Sequence, residues 1–134
     1  MAGVDTVPLQ KHYDVIIVGG AIMGSSAAWF LTDYPDFGGS VLVVERDHTY
    51  EFCSTAHTNS CMRQQYSEIL NVRISQFAAD FVKNLRRYMG GDERVPELSI
   101  QNYGYMYLAD TEDFAETLRD NIKVQHESGA GTVL

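Results

Sequence analysis

Cysteine, proline and basic residues are the scarce components of this chain. Of its 134 residues, two are cysteine and three are proline. Cys53 and Cys61 stand at a spacing that fits no zinc pattern, and two cysteines cannot build a disulfide framework. The composition therefore predicts thiols in a reducing compartment, no metal site and a cytoplasmic location. Lysine and arginine number 10 against 18 aspartates and glutamates, giving a formal net charge of -8 and a pI near 4.8. That deficit argues against an electrostatic grip on nucleic acid or on an anionic membrane surface, since both need clustered Lys and Arg. Long apolar runs are lacking too, and nothing approaches the roughly 18 residues of a membrane-spanning helix. The segment before Lys11 carries neither a signal-peptide core nor an Arg-rich amphipathic pattern. There is no internal repeat and no low-complexity tract. What remains is 45% hydrophobic, ordinary globular material sufficient for one compact domain.

The order of elements is legible along the chain. Residues 13–18 (Y-D-V-I-I-V) form a short β-branched run without polar alternation, as in a strand buried on both faces of a parallel sheet. Residues 21–31 open with small side chains and continue into Trp29, Phe30 and Leu31, which suits a helix lying close against that sheet. Pro, Asp and Gly collect in 32–40, a loop, and 41–44 (V-L-V-V) give a second buried strand that ends at Glu45. The first third is thus an α/β unit, β-α-β in order. Residues 46–67 are polar and aperiodic, long for a structureless connection and so expected to be functional. Apolar positions three or four apart over 68–89 predict one long helix closed by Gly90 and Gly91. Residues 100–109 are rich in aromatics and read as a strand. Asp110 or Thr111 can cap a last helix running to about His126, and 129–134 look like the beginning of another strand.

The chemistry starts at V-G-G-A-I-M-G. In the dinucleotide fingerprint G-x-G-x-x-G the first glycine makes the turn, the second admits the pyrophosphate, and the third lets helix and strand pack closely. Gly19 and Gly24 take the first and third roles. Ala21 stands where the second glycine is usual, while Gly20 keeps the turn pliable; Ile22 and Met23 complete the turn. The context supports the match, because the motif follows a strand, opens a helix and leads to a second strand ending in an acid. Glu45, 21 positions after Gly24, is placed to accept both ribose hydroxyls, and an acid there disfavours a 2′-phosphate. The plain alternative is a Gly-rich turn that binds nothing.

The segments D-V-I-I-V-G-G-A-I-M-G-S-S-A-A, V-L-V-V-E-R-D and S-T-A-H-T-N-S-C-M-R-Q-Q-Y-S together resemble the D-amino-acid oxidase-like FAD-dependent oxidoreductases, which include sarcosine oxidase, glycine oxidase and dimethylglycine dehydrogenase. The resemblance covers most of the chain. It implies a Rossmann-like, glutathione-reductase-like FAD domain interleaved with a substrate domain on an antiparallel sheet. Residues 1–66 would be the N-terminal part of the FAD-binding domain, and 67–134 the connecting helix and the start of the substrate domain. It also implies Glu45 at the adenosine ribose, Arg46 near adenine and phosphates, and Ser54 and Thr55 at the pyrophosphate. Asn59, Ser60, Cys61 and Met62 would run beside the isoalloxazine ring. His57 and Cys61 would pack there rather than anchor flavin covalently. Arg63 falls where sarcosine oxidase-like enzymes bind the substrate carboxylate, a task suited to a guanidinium fork; a surface or flavin-phosphate arginine is the alternative. Tyr103, Tyr105 and Tyr107 would share one strand face, near substrate or over a core.

The implied reaction is oxidation of a C–N bond in a small amine or N-methylated amino acid, with oxygen or an electron-transfer partner restoring the flavin. A family member would be nearly three times this length, and a dinucleotide fold needs two mononucleotide halves where this chain offers one. The expectation is an N-terminal portion that holds FAD weakly, or not at all, by itself, with an open sheet edge prone to self-association. An NAD-dependent dehydrogenase and a non-catalytic FAD-binding assembly or interaction factor are the rival readings.

Overall fold

The computed structural model describes residues 6–134; the first five residues of the segment before Lys11 lie outside the described part. Two compact units divide the chain, the first ending at Ser60 and the second spanning Cys61–Leu134.

The first unit is a β-α-β arrangement of β1 (Val15–Val18), α1 (Ile22–Asp33) and β2 (Val41–Val44). The strands pair in parallel, with Val15 opposite Val41 and Val18 opposite Val44. Both ends of this short ladder are locked. At the start, Ser40 O accepts from the N–H groups of Asp14 and Val15, each at 3.1 Å, and the Asp14 carboxylate accepts from the Ser40 N–H and hydroxyl at 2.6 and 2.8 Å. Those Ser40 donors hold the Asp14 carboxyl below its ordinary value. At the far end Gly19 N–H donates to Val44 O at 2.8 Å.

α1 packs on both strands and ends two residues later than the composition predicts. Tyr34 turns extended at ψ 120°, as expected of the residue before Pro35. The expectation of strands buried on both faces fails. β1 alternates half-buried and exposed positions, with Ile16 59% and Val18 86% exposed, because α1 covers one face and no described element covers the other.

The second unit contains α2 (Ile69–Lys83), α3 (Leu85–Tyr88) and α4 (Glu112–Glu127). The long helix expected over 68–89 is two helices. Asn84 leaves helical geometry at φ -117°, ψ 26°, and its side-chain amide donates to Asp80 O and Oδ1 at 3.0 and 2.8 Å. A short amide side chain competing with the backbone in this way commonly ends a helix. α3 then supplies one turn, so that Tyr88 closes on Phe81, with ring centroids 4.9 Å apart, and on Phe77 at 6.0 Å. Gly90 and Gly91, at φ 68° and 79°, terminate it.

α4 starts as expected at Thr111, whose hydroxyl accepts from Phe114 N–H at 3.3 Å. Glu112 and Asp113 in its first turn and His126 in its last complement the helix dipole. Its end reverses at Gly129, φ 77°. α4 packs on α2, and Val72, Ala130 and Gln125 are the buried side chains of this unit.

Residues 100–109 do not form the expected strand, and neither do 129–134. A strand exists only by pairing, and no described segment offers 100–109 a ladder. Gly104, at φ 78°, also breaks the extended run in its middle. The antiparallel sheet implied by the resemblance is therefore not begun among the described residues; the observed sheet is the two-stranded parallel one.

Candidate functional site

The turn 19–24 is built from backbone. Gly19 sits at φ 99°, a conformation that side chains oppose. A Cβ on Gly24 would collide with Gly19 O and lie 3.1 Å from Ile17 Cγ2. Strand and helix therefore approach as closely as the fingerprint's third glycine requires. Ser25 hydroxyl donates to Gly20 O and steadies the turn from the helix side.

Two sequence-selected side chains converge on this turn. Glu45 Oε2 accepts from Gly20 N–H at 2.7 Å, and Oε1 from Asp47 N–H at 2.8 Å. The Asp47 N–H first and the Gly20 N–H second hold the Glu45 carboxyl below its ordinary value, so it carries its charge beside the turn. Thr55 Oγ1 accepts from Ile22 N–H at 3.3 Å, at the N-terminal end of α1. Between turn and loop lies a cleft of about 380 Å³, lined among others by Gly20, Ala21, Ile22, Ser25 and Thr55. Its floor is the positive end of a helix dipole, the standard setting for a phosphate.

The other candidates in this unit lie on α1 and along the segment after β2. Met23 is 82% exposed on α1. Arg46, Ser54, Asn59 and Ser60 are exposed; Ser60 holds φ 54°, with its N–H on Thr58 Oγ1 at 3.3 Å. The His57 ring pairs with Glu51 O at 2.8 Å. Cys53 and Tyr50, which pattern reading passed over, also line the cleft. Only their fold-back onto the turn marks them, and no local motif encodes it.

Cys61, Met62 and Arg63 belong to the second unit. There the Arg63 guanidinium lies over the ring of Tyr66, 4.7 Å from its centroid, and 5.4 Å from that of Tyr107. Two aromatic faces hold a cation in place while leaving its N–H fork to an anion. Arg63 lines a cleft of about 230 Å³ with Met62, Gln65, Tyr105, Gly131 and Thr132. Gln65 Nε2 donates to Tyr105 O at 3.2 Å, joining segments 40 residues apart. The hydrogen bond between Cys61 and the Tyr105 phenol is the main influence raising that phenol's pKa, and the Arg63 charge opposes it. Of the three alternating tyrosines, Tyr105 and Tyr107 thus surround Arg63, whereas Tyr103 is 86% exposed. Gln65 and Gln125, whose amide donates to Tyr66 O at 3.2 Å, were not anticipated, because both act across distant segments.

Among the described residues no group of three or more His, Cys, Asp or Glu side chains is arranged to hold a metal ion. No described helix is long and apolar enough to cross a membrane.

Comparison with known proteins bears on what the cleft at the turn holds. The sequence profile of the FAD dependent oxidoreductase (DAO) family matches residues 14–133. The chain is 40% identical over 127 residues to FAD-dependent oxidoreductase domain-containing protein 1 of Bos taurus, covering 92% of this chain and 26% of that protein. It is 40% identical over 127 residues to the Drosophila melanogaster homolog, covering 93% and 24%, and 38% identical over 128 residues to the Xenopus laevis protein, covering 92% and 25%. The chain thus spans about a quarter of the length of these relatives. No solved structure matches it. The turn fits FAD on physical grounds, since the one position where a Cβ would collide with the backbone carries glycine and the start of α1 borders an open cleft. From the glycine turn and its acid to residue 133, this chain belongs to the FAD-dependent oxidoreductase family, and its cofactor is FAD.

Proposed function

We propose that this chain serves an oxidoreductase acting on the C–N bond of a small amine or N-methylated amino acid, with residues 1–66 contributing to the FAD-binding domain and 67–134 to the beginning of the substrate domain. The observation that carries the reading is Arg63, a guanidinium braced by Tyr66 and Tyr107 at the wall of a cleft large enough for a small carboxylate. FAD, when bound, supplies the two-electron acceptor. The chain's own residues do the rest. The diphosphate would lie against the bare backbone of Gly19 and Gly20 at the positive end of α1, with the Thr55 hydroxyl alongside. Glu45, kept ionised by two N–H donors, would accept from the adenosine ribose. Arg63 would dock the substrate carboxylate by a charge-assisted fork, fixing the carbon beside nitrogen for reaction. Met62 and the tyrosine rings beside it would limit water at that end.

The test uses a protein of the relatives' full length that carries this segment, loaded with FAD. Bleaching of the flavin absorbance by sarcosine, dimethylglycine, glycine or proline is the expected result. Arg63→Lys should then raise KM for that amino acid by about tenfold or more, the scale of a hydrogen bond to a charged group, and leave the flavin spectrum in place. Absence of bleaching by all four would defeat the catalytic reading in favour of a flavin-binding protein that works by assembly or interaction.

A further inference from the structure

We propose that Tyr50 is a cofactor-binding residue of the glycine turn, its phenol O–H donating to an oxygen of the adenosine diphosphate part of FAD. Gly20 lies beside the Tyr50 side chain. This residue is not among the positive-φ glycines, so its backbone conformation does not require glycine. What a side chain there would meet is the tip of Tyr50. A Cβ at position 20 would lie 2.9 Å from the Tyr50 hydroxyl oxygen, while the next neighbours, Glu45 Cβ and Val43 Cγ1, stand at an ordinary 3.5 Å. The bare α-carbon of Gly20 therefore admits one group, the phenol.

Tyr50 reaches that position at a cost. Its φ of 59° lies in the left-handed region, which is unfavourable for a bulky side chain and recurs at ligand sites. Local hydrogen bonds hold the conformation, from Tyr50 N–H to Asp47 O at 3.0 Å and from Cys53 N–H to Tyr50 O at 3.2 Å. No group among the described residues hydrogen-bonds the hydroxyl that this conformation delivers. Tyr50 lines the cleft of about 380 Å³ together with Ala21, Ile22 and Thr55. Ala21 departs from the fingerprint beside it. Its methyl group stands where the fingerprint's second glycine brings backbone to the phosphates, and a donor in the same cleft makes up for that more distant approach.

The proposal rests on the cofactor being FAD and is independent of the amine-oxidation reading. Its test is equilibrium titration of FAD into the FAD-free form of a protein of the relatives' full length that carries this segment, followed by flavin fluorescence. Four forms are compared: wild type, Tyr50→Phe, Gly20→Ala and the double variant, each checked for folding by circular dichroism. Tyr50→Phe should weaken FAD by about tenfold. It should weaken competing ADP by the same factor and leave competing riboflavin unchanged. Gly20→Ala should weaken FAD in the wild-type background, by displacing the phenol, and add nothing to Tyr50→Phe. Equal FAD affinity in wild type and Tyr50→Phe would overturn the proposal. So would a loss confined to riboflavin, a Gly20→Ala effect undiminished in the double variant, or no uptake of FAD by the wild-type full-length protein.

Discussion

The two units solve the problem of holding a ligand in opposite ways. In the first, the site is main chain: Gly19 bends it, Gly24 lets strand and helix touch, and Glu45 and Thr55 arrive to satisfy the amides. In the second, the cleft is side chain: Arg63 lies against the rings of Tyr66 and Tyr107, with Gln65 reaching 40 residues along the sequence to the Tyr105 carbonyl. A backbone site is intolerant of change at one or two positions, because a single methyl group collides with atoms that cannot move. A side-chain site spreads its tolerance over many contacts, each worth little alone. The first kind leaves a signature in a short stretch of sequence; the second leaves only residue types whose meaning depends on where the chain goes next.

The comparison breaks most readily at Gly24. Gly24→Ala places its Cβ against the Gly19 carbonyl and should destabilise the chain by on the order of 3 kcal/mol. Gly19→Ala, which meets nothing within 4 Å, should cost only the left-handed strain of about 1 to 2 kcal/mol. Urea unfolding of the two variants checks the ranking, and equal losses would mean that close packing is not what selects glycine at position 24. In the second unit, Thr111→Ala removes the α4 cap and should cost about 1 kcal/mol in the same measurement, with helical circular dichroism falling first at that end.

The smallest effect is the response to acid. Glu45 titrates below its ordinary value of 4.5 because Asp47 and Gly20 donate to its charged form. The stability it contributes is therefore complete above that ordinary value and is lost as pH falls through the lowered one. Glu45→Gln should flatten this part of the acid limb in a pH series of urea midpoints. An unchanged limb would show that the carboxylate contributes nothing to the turn without its cofactor.

Where the reading of the residues and the structure part, the reason is context rather than propensity. V-I-I-V and V-L-V-V have the composition of strands covered on both faces, yet one helix cannot cover two. The apolar period over 68–89 is continuous, but a single Asn84 side chain bonding to Asp80 breaks the helix within it. The aromatic run 100–109 has strand composition without a strand to pair with. Tyr105 and Tyr107 accordingly turn to Arg63, while Gly104 interrupts the alternation that would have kept Tyr103 with them.

By itself the amino-acid sequence determined the β-α-β order, the positions of the glycines, the acid at the end of β2 and the Thr111 cap. Each is a local constraint, set by φ, by a single close contact or by a hydrogen bond three residues away. The tertiary structure alone decided that Tyr50 folds over Gly20, that Thr55 meets the first turn of α1, and that Tyr66 and Tyr107 brace Arg63. Those are contacts between segments, and their free energy exists only once the chain has closed the loops between them.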